Sequence, residues 1–294
     1  MSITVNSDNG IALEPGLYIV ATPIGHLEDI TVRAISVLGQ VDIIAAEDTR
    51  HSSRLLQKYQ INTPLTPYHD HTNPAQRAKI IERLQQGQTV ALISDAGTPL
   101  ISDPGFRLVL EARELGINVV PVPGACAAIA AICTAGLPSD RFLFEGFLPP
   151  KTGARIEALN TRVDEIATLI YYESPRRLAD TLLDMVKVFG GDRTAVIARE
   201  LTKLHEQIEA GTLSELIERV DADDNLRRGE CVLLVKGCEA VKGEGLSHEV
   251  IAIMRVLVAE LPLKQASKLA AQITGEKKNA LYSWGLANQE ETSA

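Results

Sequence analysis

The 294-residue sequence contains no apolar run approaching 18 residues and no low-complexity segment. Because a membrane-spanning helix needs about 20 apolar residues, we expect no membrane span. The opening stretch, MSITVNSDNGIALEPG, lacks the basic and apolar regions of a signal peptide and predicts a loose polar tail over residues 1–15. Hydrophobic residues at 45% and charged residues at 23% predict a soluble, globular protein with a large core. Because no signal peptide is recognised, we expect a cytoplasmic location.

Short motifs of the common nucleotide-binding enzymes are also missing. Neither GxGxxG nor GxxxxGK[ST] occurs, which disfavours a dehydrogenase or a P-loop kinase. The spacing of the four cysteines (Cys126, Cys133, Cys231 and Cys238) fits neither a CxxC redox pair nor a zinc site. His69 and His71 flank Asp70, but no third spaced ligand accompanies them. We therefore expect buried free thiols and no metal site.

Acidic residues outnumber basic ones, and the formal net charge is −9. A nucleic-acid interface needs clustered Lys and Arg side chains to neutralise phosphates. The charge balance therefore argues against such an interface over the whole surface and leaves only local basic patches.

Strand-like and helical patterns alternate through the first half of the chain. The apolar runs GLYIVAT, VDIIAAE, TVALIS and NVVPV are separated by helical patterns over residues 31–38, 52–59, 75–85 and 106–115. This alternation is typical of parallel βαβ units, whose functional loops lie at the carboxyl ends of the strands. We predict an N-terminal α/β domain over residues 16–148.

Two linkers divide the remaining sequence. Pro149, Pro150 and Gly153 stop any regular element, so a second α/β domain is predicted over residues 149–238, with strands at ATLIYY, TAVIARE and ECVLLVKG. The linker CEAVKGEGLS begins the C-terminal unit, which is predicted over residues 239–294 and is helical beyond this linker. Its helix, Gly275 turn and further helix outline a helix-turn-helix.

The loop SDAGTPLISDPG carries two aspartates. Asp103, followed by Pro104, predicts an N-cap and a proline at the first position of the helix that runs to Leu115. Asp95 comes directly after a strand, and the small residues behind it leave room for a ligand to approach. Asp95 could meet ribose hydroxyls or a cation, or bond its own backbone in a turn, and both interpretations stay open.

Five longer segments carry a family resemblance. The segments LYIVATPIGHLEDITVRAI, AAEDTR, LISDAGTPLISDPG, VVPVPGACAAIAAI and YYESPRRL occur in the order seen in the bacterial RsmI proteins. From about Leu17 to its helical end, the sequence resembles this family of small-subunit ribosomal RNA 2′-O-ribose methyltransferases, part of the tetrapyrrole methylase superfamily. The resemblance implies two α/β domains around an S-adenosylmethionine cleft, and a cytidine 2′-hydroxyl in the decoding centre of 16S rRNA or of the small ribosomal subunit as acceptor. A homodimer is also implied, because relatives in the superfamily are homodimers.

The resemblance further implies which residues contact the methyl donor. They lie in four places: Pro23, Ile24 and Gly25; Asp95, Ala96, Gly97 and Thr98; Gly124, Ala125 and Cys126; and Tyr171 with Ala198 in the second domain. One departure bears on the substrate. Tetrapyrrole-modifying relatives have GxGPG after the first strand, whereas this sequence has ATPIG, which favours RNA over a tetrapyrrole.

A ribose hydroxyl is a poor nucleophile, so a base or a cationic neighbour is expected beside it. Asp48 or Glu200 could accept its proton, while Arg50, Arg199 and Lys203 could hold phosphate or stabilise negative charge. An ordinary ion pair at a domain interface is the alternative for each.

Two segments are candidates for RNA contact. In ESPRR, Ser174 as N-cap and Pro175 at the first helical position predict an anion-binding helix end with Arg176 and Arg177, and a solvated first turn is the alternative. In the C-terminal unit, the candidates are Lys264, Lys268, Lys277 and Lys278. Leu281, Tyr282 and Trp284 could instead form a protein contact.

Three other functions stay open. A small-molecule tetrapyrrole methyltransferase and a protein-modifying relative such as diphthine synthase share the implied architecture. A non-catalytic RNA-binding or ribosome-assembly module would need only the basic C-terminal unit.

Overall fold

The computed structural model describes residues 13–69, 74–238, 246 and 248–288. Ten strands form two five-stranded sheets in these ranges, and eleven α-helices pack against them or follow them. The strands are Gly16–Val20 (β1), Ile43–Ala46 (β2), Leu65–Pro67 (β3), Thr89–Ile93 (β4), Val119–Val122 (β5), Phe142–Phe147 (β6), Thr168–Glu173 (β7), Thr194–Arg199 (β8), Gln207–Thr212 (β9) and Cys231–Val235 (β10). The helices are Val32–Gln40 (α1), Thr49–Lys58 (α2), Pro74–Gln85 (α3), Phe106–Glu114 (α4), Ala127–Thr134 (α5), Thr152–Asn160 (α6), Leu178–Phe189 (α7), Leu213–Ala222 (α8), His248–Glu260 (α9), Leu263–Thr274 (α10) and Lys278–Ala287 (α11).

The first sheet is entirely parallel, with the strand order β3-β2-β4-β1-β5. Side chains of α1 and α2 pack on one face, and those of α3 and α4 pack on the other. Its central strands β2 and β4 are buried throughout and mostly apolar, as expected for strands covered on both faces. Because all five strands run the same way, the loops after β1, β2, β4 and β5 meet at one edge.

The second sheet is mixed, with the strand order β6-β7-β10-β8-β9. Only β6 and β7 are parallel, and the other neighbours are antiparallel. Helices α6, α7 and α8 cover one face. Helix α5, which follows the first sheet in the chain, covers part of the other face through Ala128, Ala131 and Ile132. The apolar core around α5 therefore joins the two sheets.

The division between the domains lies earlier than the sequence predicts. Strand β6 pairs with β7, so the second sheet already begins at Phe142 rather than after residue 148. Pro149 and Pro150 lie between β6 and α6, within the second domain. They therefore do not separate the two sheets. Five elements were not predicted at all: β3, α5, β6, α6 and β9.

The C-terminal helices form a core of their own. Val250, Met254, Leu263, Ala270 and Leu281 are buried between α9, α10 and α11. Gly275 adopts a left-handed conformation (φ 77°) at the end of α10, as predicted for the turn. Leu281 is fully buried there, so of the three residues considered for a protein contact this one does not lie at the surface.

Some predictions fall on other parts of the chain. Most of the predicted N-terminal tail, the linker at 239–245, and Asp70 with His71 lie outside the described residues. Among the helices that the structure does describe, none combines the length and apolar character that spanning a bilayer requires.

Candidate active site

A cleft of about 360 Å³ lies between the two sheets. Its first wall consists of the loops after β1 and β4 and the first turn of α5. Its second wall consists of the carboxyl ends of β6, β7 and β8 and the start of β10. The volume falls within the range of roughly 300–1,000 Å³ that is typical of small-molecule sites.

Backbone contacts fix the loops of the first wall. Thr22 and Gly97 exchange two backbone hydrogen bonds of 2.8 and 3.0 Å, which join the loops after β1 and β4. The Thr98 hydroxyl donates to the Ala125 carbonyl at 2.9 Å and joins the loop after β5 to them. Gly97 has a φ of 84°, and a Cβ there would lie 3.2 Å from Ile24 Cγ2. The wall therefore needs a glycine at this position.

Asp103 belongs to this wall, and its prediction as the cap of α4 is wrong. Helix α4 begins at Phe106, and Gly105 occupies the N-cap position with a φ of 134°. Leu100 and Ser102, in the preceding loop, have φ values of 73° and 64°, and Asp103 lines the cleft. Burial raises the pKa of Asp103 to about 6, the Ser94 hydroxyl bond opposes this, and Glu47 and Asp95 add to it.

A single row of side chains across the second sheet forms the other wall. Phe147, Tyr172, Val232 and Ala198 are register partners on adjacent strands and all line the cleft. The Tyr172 ring packs edge-on against Phe147 with centroids 5.7 Å apart. The Tyr172 hydroxyl accepts a 3.3 Å hydrogen bond from the Ala128 amide, in the first turn of α5. Tyr172 therefore ties the second sheet to α5.

Tyr171, predicted to contact the donor, faces away from the cleft. It is 1% exposed and packs in the core beneath α6, α7 and α8. Successive residues of a strand point to opposite faces, so the one-residue difference between Tyr171 and Tyr172 exchanges the core for the cleft. The tyrosine that lines the cleft is therefore Tyr172 and not the predicted Tyr171. Ala198, also predicted, lies in the same cross-strand row as Tyr172, and this register is visible only in the structure.

Five predicted donor residues line the cleft: Ile24, Ala96, Gly97, Thr98 and Ala198. Pro23 and Asp95 instead line a separate crevice of about 30 Å³ together with His51. Asp95 Oδ1 accepts a 2.9 Å hydrogen bond from the Asp48 amide, so this carboxylate joins the ends of β2 and β4.

The other predicted glycines make close backbone contacts. A Cβ on Gly25 would lie 2.5 Å from Lys203 Cγ, so Gly25 allows the loops of the two domains to approach. A Cβ on Gly124 would lie 2.8 Å from the Cβ of Ala21. Ala125 supplies the carbonyl that accepts from Thr98, and Cys126 occupies the N-cap position of α5. These residues support the wall from behind.

Asp48 caps α2. Its carboxylate accepts a 2.8 Å hydrogen bond from the Arg50 amide, and this backbone bond and the Arg50 side chain lower the pKa of Asp48. The Arg50 side chain is 92% exposed and pairs with Asp48 at 3.3 Å. The geometry gives Asp48 a structural task and leaves Arg50 in solvent.

Glu200 and Lys203 form an ion pair behind the second wall. Lys203 Nζ lies 2.9 Å from Glu200 Oε1 and 3.1 Å from Glu230 Oε2. Burial alone would raise the pKa of Glu200, but hydrogen bonds from Lys203 and the Glu230 amide lower it. The buried Arg199 guanidinium donates to the carbonyls of Arg228 and His205. The ion-pair interpretation therefore describes Glu200 and Lys203 best.

The predicted RNA-binding residues divide into two groups. Arg176, Lys264, Lys268, Lys277 and Lys278 are exposed. Arg177 instead donates to the carbonyls of Leu148 and Pro149 and pairs with the buried Glu173. Ser174 is the N-cap and Pro175 the first residue of a three-residue 3-10 helix that leads into α7, as predicted, although the Ser174 side chain makes no capping hydrogen bond.

Comparisons with known proteins agree with this architecture. The family model of Tetrapyrrole (Corrin/Porphyrin) Methylases matches residues 16–217, and that of the RsmI C-terminal HTH domain matches residues 244–289. The chain is 56% identical over 274 residues to a ribosomal RNA small subunit methyltransferase I of Pseudomonas aeruginosa, covering 93% of this chain and 97% of the relative. It is 51% identical over 276 residues to the protein of the same name from Haemophilus influenzae, covering 94% of this chain and 98% of the relative.

Solved structures share the fold at low identity. A cobalt precorrin-4 methyltransferase superposes with a TM-score of 0.55 at 16% identity, covering 75% of this chain and 94% of the other. A uroporphyrin-III C-methyltransferase from Thermus thermophilus, complexed with S-adenosylhomocysteine, superposes with a TM-score of 0.53 at 16% identity, covering 75% and 97%. The α/β fold of two lobes and the C-terminal helix-turn-helix unit are thus confirmed.

Proposed function

The chain belongs to the tetrapyrrole methylase family, in the branch of the ribosomal RNA small subunit methyltransferase I proteins, and we propose that it methylates the ribose 2′-hydroxyl of a cytidine in small-subunit ribosomal RNA. It is a methyltransferase that uses S-adenosylmethionine. The observation that carries the proposal is the combination of a cleft sized for the donor with a helix-turn-helix unit whose exposed lysines suit RNA.

The cleft residues fit the donor. Ala96, Gly97, Ala127 and Ala198 leave space that larger side chains would fill, and Gly97 has no room even for a Cβ without displacing Ile24. Phe147 and Tyr172 offer aromatic surface for an adenine or a sulfonium. When bound, the donor supplies a methyl carbon on a positively charged sulfur. The chain itself mainly positions that carbon against the acceptor oxygen and excludes water.

Further parts of the proposal concern the acceptor and the assembly. The names of the relatives indicate ribosomal RNA of the small subunit as the acceptor class. The decoding-centre cytidine follows from the resemblance. We also propose a cytoplasmic homodimer that recognises the small ribosomal subunit.

RNA contacts are proposed at side chains that face solvent. Lys264 and Lys268 lie one turn apart on α10, and Lys277 and Lys278 begin α11. Arg50 and Arg176 extend the set toward the cleft. Arg177 is not proposed as an RNA contact, because its guanidinium binds the Leu148 carbonyl and the Glu173 carboxylate within the second domain.

Methyl transfer to ribosomal particles tests the proposal. Small subunits that lack the modification are incubated with the protein and S-adenosylmethionine labelled at the methyl group, in parallel with free 16S rRNA. We expect one label per subunit, in a cytidine whose 3′-linkage becomes resistant to alkali. Label on a base or on protein, or no transfer to either RNA form, would contradict the proposal.

A lysine variant in the same assay addresses the C-terminal unit. Replacing Lys264, Lys268, Lys277 and Lys278 by Gln should require higher subunit concentrations for the same rate, because fewer phosphates are neutralised. The salt dependence of binding should become shallower by about one unit of slope per lost phosphate contact. Donor affinity should not change.

A further inference from the structure

We propose that Asp103 is the catalytic carboxylate that accepts the proton of the ribose hydroxyl. The inference rests on the proposed function, since it presumes a hydroxyl acceptor. Its basis is the placement of this side chain in the donor cleft by a loop whose geometry serves no helix cap.

The loop around Asp103 is held from both domains. Gly105 lies so close to the first core that a Cβ would be 2.7 Å from Leu92 Cδ2. On the opposite side, a Cβ on Gly146 of β6 would lie 3.1 Å from Ser102 Oγ. Non-glycine residues with φ near +60 to +75°, such as Leu100 and Ser102, are strained and are often found at functional sites. The fold thus sustains a costly conformation that aims Asp103 into the cleft.

The other carboxylates of the cleft are already engaged. Glu173 accepts hydrogen bonds from the Ser174 amide at 2.7 Å and the Thr181 hydroxyl at 2.6 Å, and it pairs with Arg177. Glu230 pairs with Lys203. Asp103 forms no ion pair with a Lys or Arg side chain in the part of the chain that the structure describes. It is therefore available to a substrate.

The groups that face Asp103 favour a base that works near neutral pH. The Ser94 hydroxyl forms a hydrogen bond with the Asp103 carboxylate. The carboxylates of Glu47, just after β2, and Asp95, just after β4, repel the negative charge of Asp103. From the second sheet, Tyr172 faces it, and burial and the neighbouring Cys126 raise the pKa of that phenol, so Tyr172 stays neutral. With a pKa of about 6, Asp103 is ionised at pH 7 and more basic than an exposed aspartate.

The proposed step balances without a further reactant. The ribose O–H bond breaks and its proton passes to a carboxylate oxygen of Asp103. The hydroxyl oxygen forms a bond to the methyl carbon as the carbon–sulfur bond breaks, and that electron pair stays on sulfur to give a neutral thioether. Asp103 then releases the proton to solvent.

The test compares Asp103→Asn with Asp140→Asn. Asp140 is exposed and precedes β6 at the end remote from the cleft, so its variant is a matched control. Single-turnover methylation of small subunits is measured from pH 5 to 8, with enzyme and donor in excess, and donor affinity is measured separately by calorimetry. Thermal melting of each variant checks the fold.

We expect Asp103→Asn to lose about 100-fold or more in the single-turnover rate, the range that general-base catalysis contributes. Donor affinity should stay within about threefold. The wild-type rate should rise with pH until about 6 and then level off, because only the ionised carboxylate accepts a proton. Asp103→Glu should keep part of the rate and a pH inflection, whereas the Asn variant should show no inflection.

Two results would overturn the inference. Retention of the wild-type rate by Asp103→Asn would show that no proton passes to this group. A parallel loss of rate and donor affinity would make Asp103 a donor-holding residue. Failure of the wild-type protein itself to methylate RNA would instead count against the proposed function.

Discussion

The two walls of the cleft are built by different means. The first wall is made of loops at the edge of a parallel sheet, and it depends on backbone bridges, glycines and residues with positive φ. The second wall is one row of side chains across a mixed sheet, fixed by strand register. The loop wall carries the candidate chemistry at Asp103, while the sheet wall offers a rigid apolar surface. The positions of the side chains are thus set by strained loop conformations in the first wall and by strand register in the second wall.

The sheet wall should be most sensitive at Arg177, which clamps the ends of β6 and β7. Replacing Arg177 by Ala leaves the carboxylate of Glu173, whose side chain is 0% exposed, without its cation. We expect a loss of about 3 kcal/mol in the free energy of unfolding, as for other broken buried pairs. Denaturant unfolding measures it, with the exposed Arg176→Ala as control. Equal stabilities of the two variants would show that the clamp is not needed.

In the loop wall, the Gly97→Ala substitution should reduce the affinity of the cleft for the donor. Gly87 has nearly the same φ (81° against 84°), but a Cβ there meets no atom within 4 Å, so Gly87→Ala carries the backbone cost alone. We expect donor affinity to fall about tenfold, or 1.4 kcal/mol, only in the Gly97 variant. Calorimetric titration of S-adenosylmethionine compares the two. If both variants bind as the wild type does, Gly97 does not face the donor.

The smallest expected effect is the difference between removing the hydroxyl of Tyr172 and removing that of Tyr171. Tyr172→Phe loses the hydrogen bond from the Ala128 amide and should weaken donor binding by a few-fold, consistent with about 1 kcal/mol for such a bond. Tyr171→Phe removes a buried hydroxyl that has no hydrogen-bond partner among the described residues, so stability should stay level or rise. Donor titrations and melting curves of both variants check this. The opposite ranking would place Tyr171 in the cleft.

Periodicity predicts the parallel half of the fold well. Strands β1, β2, β4 and β5 appear as short apolar runs, and their alternation with helices correctly predicts a parallel sheet whose loops meet at one edge. Strand β9 was missed because its sequence, QIEAGT, is largely polar or small, as an edge strand allows. Helix α5 was missed because its sequence, AAIAAICT, consists mostly of small and apolar residues and shows no polar face.

Site residues were harder to predict because local rules compete with tertiary ones. The Asp-Pro pair at Asp103 has the sequence of a helix start, yet the strained backbone moves that start to Phe106. Tyr171 and Tyr172 are chemically identical and adjacent, and only the strand register decides which faces the cleft. The family resemblance indicates which loops form the cleft, but it does not show which of their side chains line it.

The position of β10 also has a consequence for synthesis of the chain. This strand comes last in the second sheet's sequence, but it lies in the middle, between β7 and β8. During translation those two strands have no shared neighbour until residues 231–235 have left the ribosome exit tunnel. The apolar side chains of α5 must wait equally long for Val232 and Leu234 to cover them. All strands of the first lobe thus emerge before those of the second, and the sheet wall of the cleft cannot be complete until β10 has been synthesised.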